Sequence, residues 1–264
     1  MANFFPQLKS GAIAQYPIRK TIATRTIRNV LPDGSLYLNS DPAAGHILWQ
    51  LAYQGLSTQE IGSLTAHFDA CRGRFQAFTF IDPTDNMLIN SANLAAAPWL
   101  PSTGLNLSGN AADPLGKSGA FVLTNNAQVA AQLSQTSNVP ANYQYCFSAY
   151  VMSAEPTTVE LVRSGPASEE RTAVTAGPEW NRVVSNGSLS DMGTEFTVAI
   201  SLLPGQRISV YGPQLEAQVA PSRYRATFTR AGVYPNAHWA VDALPVMADA
   251  PNLFSTIFTI EAPI

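Results

Sequence analysis

Residues Leu56–Pro83, LSTQEIGSLTAHFDACRGRFQAFTFIDP, carry the one complete helix signal in this sequence. Ser57 and Glu60 have the spacing of a capping box, in which each side chain accepts a hydrogen bond from the other residue's backbone N–H. An apolar stripe at spacings of three and four follows, formed by Ile61, Leu64, Phe68 and Cys71. Gly73 suits a left-handed helix end, and Phe75–Ile81 then alternates as a strand. The stretch predicts one helix that covers a β-sheet and leads into an aromatic strand.

The rest of the 264-residue chain reads as strands and turns, in three sections. Seven short strand patterns between residues 120 and 212 predict a jelly-roll β-sandwich. Three further patterns follow, at 226–230, 237–241 and 254–260. Because these last strands are too few to fold alone, we expect them to return to the N-terminal section. The predicted fold is mainly β: residues 1–88 and 225–264 form a discontinuous β-sandwich with one α-helix, and residues 89–224 form an inserted jelly-roll domain.

Composition argues against nucleic-acid binding and against a membrane span. The net charge is −3, which gives no basic footprint, and no apolar run approaches the length of a membrane helix. Charged residues are 12% of the chain, against about 25% in ordinary soluble domains. Because interfaces are depleted of Lys and Glu, this surface predicts burial against other subunits. The alternative is a neutral monomer kept soluble by Ser, Thr, Asn and Gln.

Patterns for catalysis, metal binding or a cofactor do not emerge, and we expect none of the three. The histidines lie in different elements without metal-type spacing, at His46, His67 and His238. No nucleophile elbow, phosphate loop or dinucleotide fingerprint occurs. Carboxylates that could form a glycosidase pair include Glu160, Glu195 and Glu216, and they keep a sugar-cleaving alternative open. Cys71 and Cys146 fall in apolar patterns and predict buried free thiols.

A jelly roll without catalytic motifs favours sugar binding, which uses flat apolar rings together with amide or hydroxyl groups. The tentative glycan ligands are Trp99, Tyr150, Trp180 and Asn181. Trp99 directly follows Pro98, and Trp180 follows Pro178-Glu179, so both can lie in loops. Burial of the two indole rings inside the sandwich is the competing interpretation.

The central section resembles the carbohydrate-binding-type jelly rolls of phage tail proteins. Asn93-Leu94 ahead of Trp99 is similar to the opening of those modules, although Ala95–Ala97 replaces the serine that is common there. Gly212–Glu216 followed by Ser222-Arg223-Tyr224 is similar to their closing segment, and this second motif is the more specific one. The resemblance implies a module for adhesion to host-surface glycans. It does not bear on Tyr150 or Trp180.

The flanking sections resemble the distal tail family of long-tailed phages and gene transfer agents. The features that carry the resemblance are Phe5-Pro6, Thr24–Thr26 with Asp33–Ser35, the Leu56–Phe68 helix, Gly73–Phe75 with Phe78–Pro83, Thr229–Gly232 and Phe254–Glu261. The resemblance implies a non-catalytic virion protein that forms a hexameric ring between the tail tube and the tail-tip hub proteins. It would assemble in the bacterial host cytoplasm and end in the tail tip. The alternatives are a stand-alone sugar-binding or glycan-cleaving protein, and an insert that is purely architectural.

Overall fold

The computed structural model describes residues 3–264, without the side chain of residue 42. The chain divides into two compact units: unit 1 consists of Met1–Phe80 with Tyr234–Ile264, and unit 2 consists of Ile81–Val233. The domain boundaries expected from the sequence, 1–88 with 225–264 and 89–224, stay a prediction. No helix within residues 3–264 is both long enough and apolar enough to cross a bilayer.

The fold is mainly β, as the sequence predicts, with sixteen strands and one helix among the described residues. In chain order they are β1 (Arg19–Val30), β2 (Leu36–Leu56), α1 (Thr58–Cys71), β3 (Phe78–Ile81), β4 (Leu100–Pro101), β5 (Leu105–Ala111), β6 (Ala120–Asn125), β7 (Ala131–Ser137), β8 (Tyr145–Met152), β9 (Thr157–Ser164), β10 (Glu169–Ala176), β11 (Asn181–Gly187), β12 (Phe196–Leu202), β13 (Arg207–Glu216), β14 (Val233–Trp239), β15 (Met247–Ala250) and β16 (Leu253–Pro263).

Unit 1 is built on one six-stranded sheet that joins the two ends of the chain. Its order is β1-β2-β16-β14-β3, and β15 adds to β16. The long C-terminal strand β16 runs antiparallel to β2, from Phe254 opposite Leu56 to Pro263 opposite His46. The N-terminal and C-terminal sections therefore share one sheet, in which Trp49 and Phe258 are buried.

Helix α1 begins as its sequence predicts. The Ser57 side chain accepts from the Glu60 N–H, and the Glu60 carboxylate accepts from the Ser57 N–H at 3.0 Å. The helix ends at Cys71, and the two residues that follow are both left-handed: Arg72 has a φ of 52°, and Gly73 has a φ of 62°, as expected for Gly73. The buried stripe also differs by one position, because His67 is buried where Phe68 was expected.

His67 lies in the aromatic core of unit 1. Its Nδ1 accepts a hydrogen bond from the Trp239 indole N–H at 3.2 Å, and its ring meets Phe78 edge to face. Burial lowers the pKa of His67 to about 4. The histidine is therefore neutral at ordinary pH and acts as a hydrogen-bond acceptor for a buried tryptophan.

The β1–β2 hairpin extends beyond this sheet as a two-stranded arm, which we define as Arg25–Val30 with Leu36–Asp41. The register of β1 on β2 shifts between Ala23 and Arg25, and β16 ends opposite His46. Within the described residues, the arm therefore has no third strand. At about 3.4 Å per residue, its six residue pairs project about 20 Å.

The arm has two different faces. Its apolar face carries Val30, Leu36 and Leu38, whose side chains are between 48% and 65% exposed. The opposite face carries Ile27 and Tyr37 together with two asparagines and the Arg25–Asp41 ion pair. Isolated two-stranded hairpins are marginally stable in water, and here the aliphatic side chains of the ribbon are left largely exposed.

Unit 2 is a sandwich of two antiparallel five-stranded sheets. One sheet has the order β10-β9-β12-β7-β4, and the other, here called the second sheet, has the order β11-β8-β13-β6-β5. All seven strands expected between residues 120 and 212 are present, and β4, β5 and β7 are additional. The strand expected at residues 226–230 is absent; the backbone oxygens of Thr227 and Phe228 instead accept from the Ala92 and Asn90 N–H groups.

Candidate functional site

A row of side chains crosses the outer face of the second sheet. Tyr150 on β8 lies opposite Arg182 on β11 and opposite Tyr211 on β13. The Arg182 guanidinium carbon is 5.5 Å from the Tyr150 ring centre, and the Tyr150 and Tyr211 ring centres are 6.0 Å apart. Tyr224 continues the line, with its ring edge-to-face on Tyr211 at 5.3 Å. We call these four half-buried side chains the aromatic row.

Strand alternation explains why these rings face outward. Successive residues of a strand point to opposite faces of its sheet. On β8 the residues of the other face, Tyr145, Phe147, Ala149 and Val151, are buried in the sandwich core. Tyr150 falls between the last two, so its ring is left on the outer face beside Arg182.

Arg182 is held in place by hydrogen bonds on two sides. One terminal nitrogen donates to the Ser148 hydroxyl at 2.9 Å, and the other donates to the Ser222 carbonyl. Ser222 is fixed in turn by the buried Glu216 carboxylate, which accepts from the Ser222 N–H at 3.0 Å and from its hydroxyl. The guanidinium face over Tyr150 is thus preorganised by the segment that follows β13.

Gly212 leaves the space in which the Tyr224 ring packs. A Cβ at this position would lie 3.0 Å from the Tyr224 ring, and Gly212 has a φ of +58°. Both features favour glycine, which alone adopts positive φ without a steric penalty. The closing motif therefore has a physical role: Gly212 and Glu216 seat Tyr224 and Ser222 at the end of the aromatic row.

The hydroxyls of Tyr211 and Tyr224 stay protonated over the physiological range. Burial raises the pKa of Tyr224 to about 12. Burial also raises the pKa of Tyr211, and the nearby Asp113 charge adds to this effect. Neutral phenol groups can both donate and accept hydrogen bonds, which suits them to a ligand rich in hydroxyls.

A small hollow of about 280 Å³ adjoins Tyr211 and Tyr224. Its polar wall is Asp113, whose carboxylate accepts from the backbone N–H groups of Leu115, Lys117 and Gly119. Burial pushes the pKa of Asp113 upward, but these backbone bonds outweigh it and hold the pKa below its usual value. The carboxylate is therefore charged, and it is already hydrogen-bonded to backbone N–H groups of its own chain. Its role is to form part of the wall of the hollow.

A larger cleft of about 820 Å³ opens next to the row. Met152 and Ser209 line it, and they stand two residues beyond Tyr150 and Tyr211 on the same strands. Residues two apart share a face and lie about 7 Å apart along a strand, so the cleft and the row are continuous. The β8–β9 loop and the β12–β13 loop form its walls.

The cleft combines apolar and charged lining groups. Its apolar surface comes from Met152 and from prolines of three loops, and its exposed charged groups are Glu155 and Arg207. A carboxylate and a guanidinium in one cleft can bond to neighbouring hydroxyls, while the flat rings of the row supply stacking surface. This arrangement fits a polar ligand with apolar faces, and sugars have that character.

The four residues proposed from the sequence have different locations. Tyr150 is in the aromatic row, and Trp180 is half-buried directly before β11, between the cleft residue Pro178 and Arg182. Asn181 is exposed but lies opposite Val151, whose side chain faces the core, so it is not on the face of the row. Trp99 is 4% exposed, and its indole N–H donates to the Asn90 carbonyl at 3.1 Å. Trp99 thus presents no open ring face, and we leave it out of the candidate site.

The carboxylates of the sugar-cleaving alternative lie in separate settings. Glu216 is buried and bonded to Ser222 and Gln218. Glu160 is half-exposed and forms an ion pair with Arg171, and Glu195 is exposed before β12. In the described part of the chain, side chains of His, Cys, Asp and Glu form no group of three suited to a metal ion.

Comparisons with known proteins find partial likenesses among solved structures and no match elsewhere. No protein-family model matches the chain, and no curated protein matches it. Among solved structures, the enzymatically active domain of bacteriophage CBA120 tailspike protein 4 is 16% identical with a TM-score of 0.40, over 52% of this chain and 22% of the tailspike chain. The CBM22-1 xylan-binding domain from Paenibacillus barcinonensis is 12% identical with a TM-score of 0.42, over 53% of this chain and 96% of that domain.

A third solved structure, TmCBM61 in complex with β-1,4-galactotriose, is 17% identical with a TM-score of 0.37, over 49% of this chain and 97% of that one. At these identities and TM-scores, the likenesses carry no argument about function. What this molecule binds must follow from its own residues.

Proposed function

We propose that this chain is a structural protein of the tail tip of a phage or phage-like particle. It assembles in the host cytoplasm into a ring, six-membered by its resemblance to the distal tail family, between the tail tube and the tail-tip hub proteins. Unit 2 serves adhesion to glycans of the host surface. The protein has no catalytic role in this proposal.

The arm of unit 1 is the observation that carries the proposal. Three aliphatic side chains on one face of a two-stranded ribbon are exposed, at Val30, Leu36 and Leu38. Full burial of such a side chain contributes about 1.5–3 kcal/mol, so the arm favours a partner that covers it. Large exposed apolar patches on soluble proteins mark interaction sites. Self-association through the arm accounts for this surface and agrees with the low content of charged residues.

The assembly state tests the ring directly. The full chain, of 28.3 kDa, is measured by light scattering at micromolar concentration and imaged by negative-stain electron microscopy. We expect particles of about six times the chain mass with ring-shaped projections. A monodisperse monomer at this concentration contradicts the proposal.

The glycan role rests on the aromatic row and the cleft. Repeated weak sites in a ring bind a surface together, so even millimolar affinity for one sugar becomes useful. A glycan array with the full chain tests the role, using Tyr150→Ala against Tyr143→Ala, which removes a half-buried tyrosine that belongs to neither the row nor the cleft. We expect Tyr150→Ala to weaken binding about tenfold, because one stacked ring contributes about 1.4 kcal/mol. Equal loss in both variants places the ligand elsewhere.

The second candidate is a stand-alone sugar-binding protein. One observation favours it: the row and the cleft belong entirely to unit 2, so this site needs no second chain. It predicts that a monomeric chain binds glycans on the array. A blank array together with intact rings instead supports an architectural sandwich without a ligand.

A further inference from the structure

Unit 1 contains an apolar groove far from the arm. It has a volume of about 440 Å³ and is lined by residues from β2, β15 and β16, with a short segment before β15. Three of its lining residues expose large apolar side chains, namely Val246, Met247 and Ile257. Like the apolar face of the arm, the groove leaves aliphatic surface uncovered in a single chain.

The arm of one chain does not occupy its own groove. The arm tip and the groove lie at opposite ends of the same strand pair: β1 runs from Val30 at the tip to Arg19, which pairs with Gln50, two residues before the groove residue Ala52. Twelve residues at about 3.4 Å each separate the two surfaces by about 40 Å. Both surfaces also remain exposed in the single chain.

The charges beside the two surfaces are complementary. Arg28 is exposed on the apolar face of the arm, where it lies opposite Leu38. Asp249 is exposed on β15 at the groove and accepts from the hydroxyl of the groove residue Ser255 at 3.1 Å. An arginine beside one aliphatic patch and a carboxylate beside the other favour pairing of the two patches in a defined orientation.

We propose that the apolar face of the arm docks into the β15 groove of a second copy of this chain, with Arg28 next to Asp249. The two patches are different, so each copy offers an arm to one neighbour and a groove to the other. Such a head-to-tail contact closes into a ring when its rotation permits. This inference rests on the proposed ring and specifies its contact.

Site-specific disulfide cross-linking tests the contact. Two differently tagged chains are co-expressed, one with Leu38→Cys and the other with Met247→Cys, and their assemblies are oxidised mildly. The matched control replaces Leu38→Cys with Tyr37→Cys, an exposed neighbour on the opposite face of the arm. The native cysteines Cys71 and Cys146 are buried, and the chain that carries only these two cysteines gives the background level of cross-linking.

We expect a mixed disulfide-linked dimer from the Leu38→Cys and Met247→Cys pair and at least tenfold less from the control pair. Three results overturn the contact while leaving the ring intact: rings without this cross-link, equal cross-linking by the control, or a Leu38→Cys homodimer that indicates a two-fold contact. A monomeric chain overturns both the contact and the proposed function.

A charge exchange gives a second measurement that does not depend on sulfur chemistry. We expect Arg28→Glu and Asp249→Arg each to weaken assembly about tenfold, and the double variant to recover to within about threefold of the original chain. Both residues are exposed, so the fold should tolerate the changes. A double variant as weak as the two single effects combined overturns the pairing of these charges.

Discussion

The arm and the aromatic row are both open to solvent, but their side chains are held in different ways. The arm has one pair of strands, and the aliphatic side chains of its apolar face are about half exposed or more. In the row, Arg182 is fixed by Ser148 and Ser222, and Tyr224 lies against Gly212. A surface fixed by its own chain suits a small ligand, because the ligand does not have to order it. An unsupported apolar surface suits a macromolecule that completes its packing.

The largest effect is expected from removing the apolar face of the arm. We expect the variant with Val30→Ser, Leu36→Ser and Leu38→Ser to lose at least about 4 kcal/mol of association free energy, which is about a thousandfold in the dissociation constant. Light scattering over a concentration series measures it. The melting temperature of unit 2 serves as the control and should not change. Full assembly by this variant would show that the arm is not the contact.

Acidification should destabilise the sheet that bears the arm more than the sandwich that bears the aromatic row. The pKa of His67 is about 4 in the folded chain and about 6.5 in the unfolded chain, so the unfolded chain binds more protons in this window. His67 therefore makes its full contribution to the free energy of unfolding above pH 6.5. This contribution, on the order of 3 kcal/mol, is lost as the pH falls toward 4. Chemical denaturation between pH 7 and 4.5, followed by tryptophan fluorescence, measures it.

Two variants isolate the histidine responsible for that pH dependence. His67→Phe should flatten the slope, although it leaves the Trp239 N–H without its acceptor and lowers stability at pH 7. The matched control is His46→Gln, which changes a half-buried histidine in the same sheet. A slope that persists in His67→Phe would assign the effect to another group.

The support beneath the row is tested by Glu216→Ala. This change removes the acceptor of the Ser222 N–H and of the Gln218 amide, and we expect unit 2 to lose about 2 kcal/mol of unfolding free energy. The half-exposed Glu160→Ala is the matched control, and it should cost less than about 0.5 kcal/mol. Urea unfolding measures both variants. Equal effects would mean that Ser222 and Arg182 do not depend on the buried carboxylate.

The smallest expected effect concerns the seat of Tyr224. Gly212→Ala places a methyl group 3.0 Å from the tyrosine ring at a positive φ, and we expect a loss of about 1–2 kcal/mol. Gly205→Ala also has a positive φ but has open space at its Cβ, so it isolates the backbone part of the cost. Urea unfolding compares the two, and a Gly212→Ala loss no greater than that of Gly205→Ala would remove the packing argument.

Patterns of local sequence were enough for much of the fold. The capping box fixed the start of α1, and alternation located the seven expected strands of unit 2. Strands β5 and β7, LNLSGNA and AQLSQTS, were missed because their apolar–polar alternation covers only four residues: it is broken at Gly109 in β5, and in β7 the next core position is the buried polar residue Gln135. His67 replaced Phe68 in the helix stripe because the Trp239 indole supplies a partner that lies far away in the sequence.

The candidate site was harder to predict from the sequence, because it depends on the register between neighbouring strands. Tyr150 could be proposed as an aromatic residue on the less apolar face of its strand. Arg182 and Tyr211 become its neighbours only through the pairing of β11 and β13 with β8. The closing motif contained a usable signal, since Tyr211 directly precedes Gly212 and Tyr224 ends the motif.

The register shift at the base of the arm affects which insertions and deletions related sequences can tolerate. Residue 24 of β1 stands opposite residues 42–45 of β2, so the alternation that buries Trp49 and Leu51 does not continue into the arm. Insertions or deletions at this irregular junction would turn or lengthen the arm and leave the core alternation unchanged. Related chains could therefore change the direction or length of this arm by small length changes here, while the sheet beneath keeps its packing.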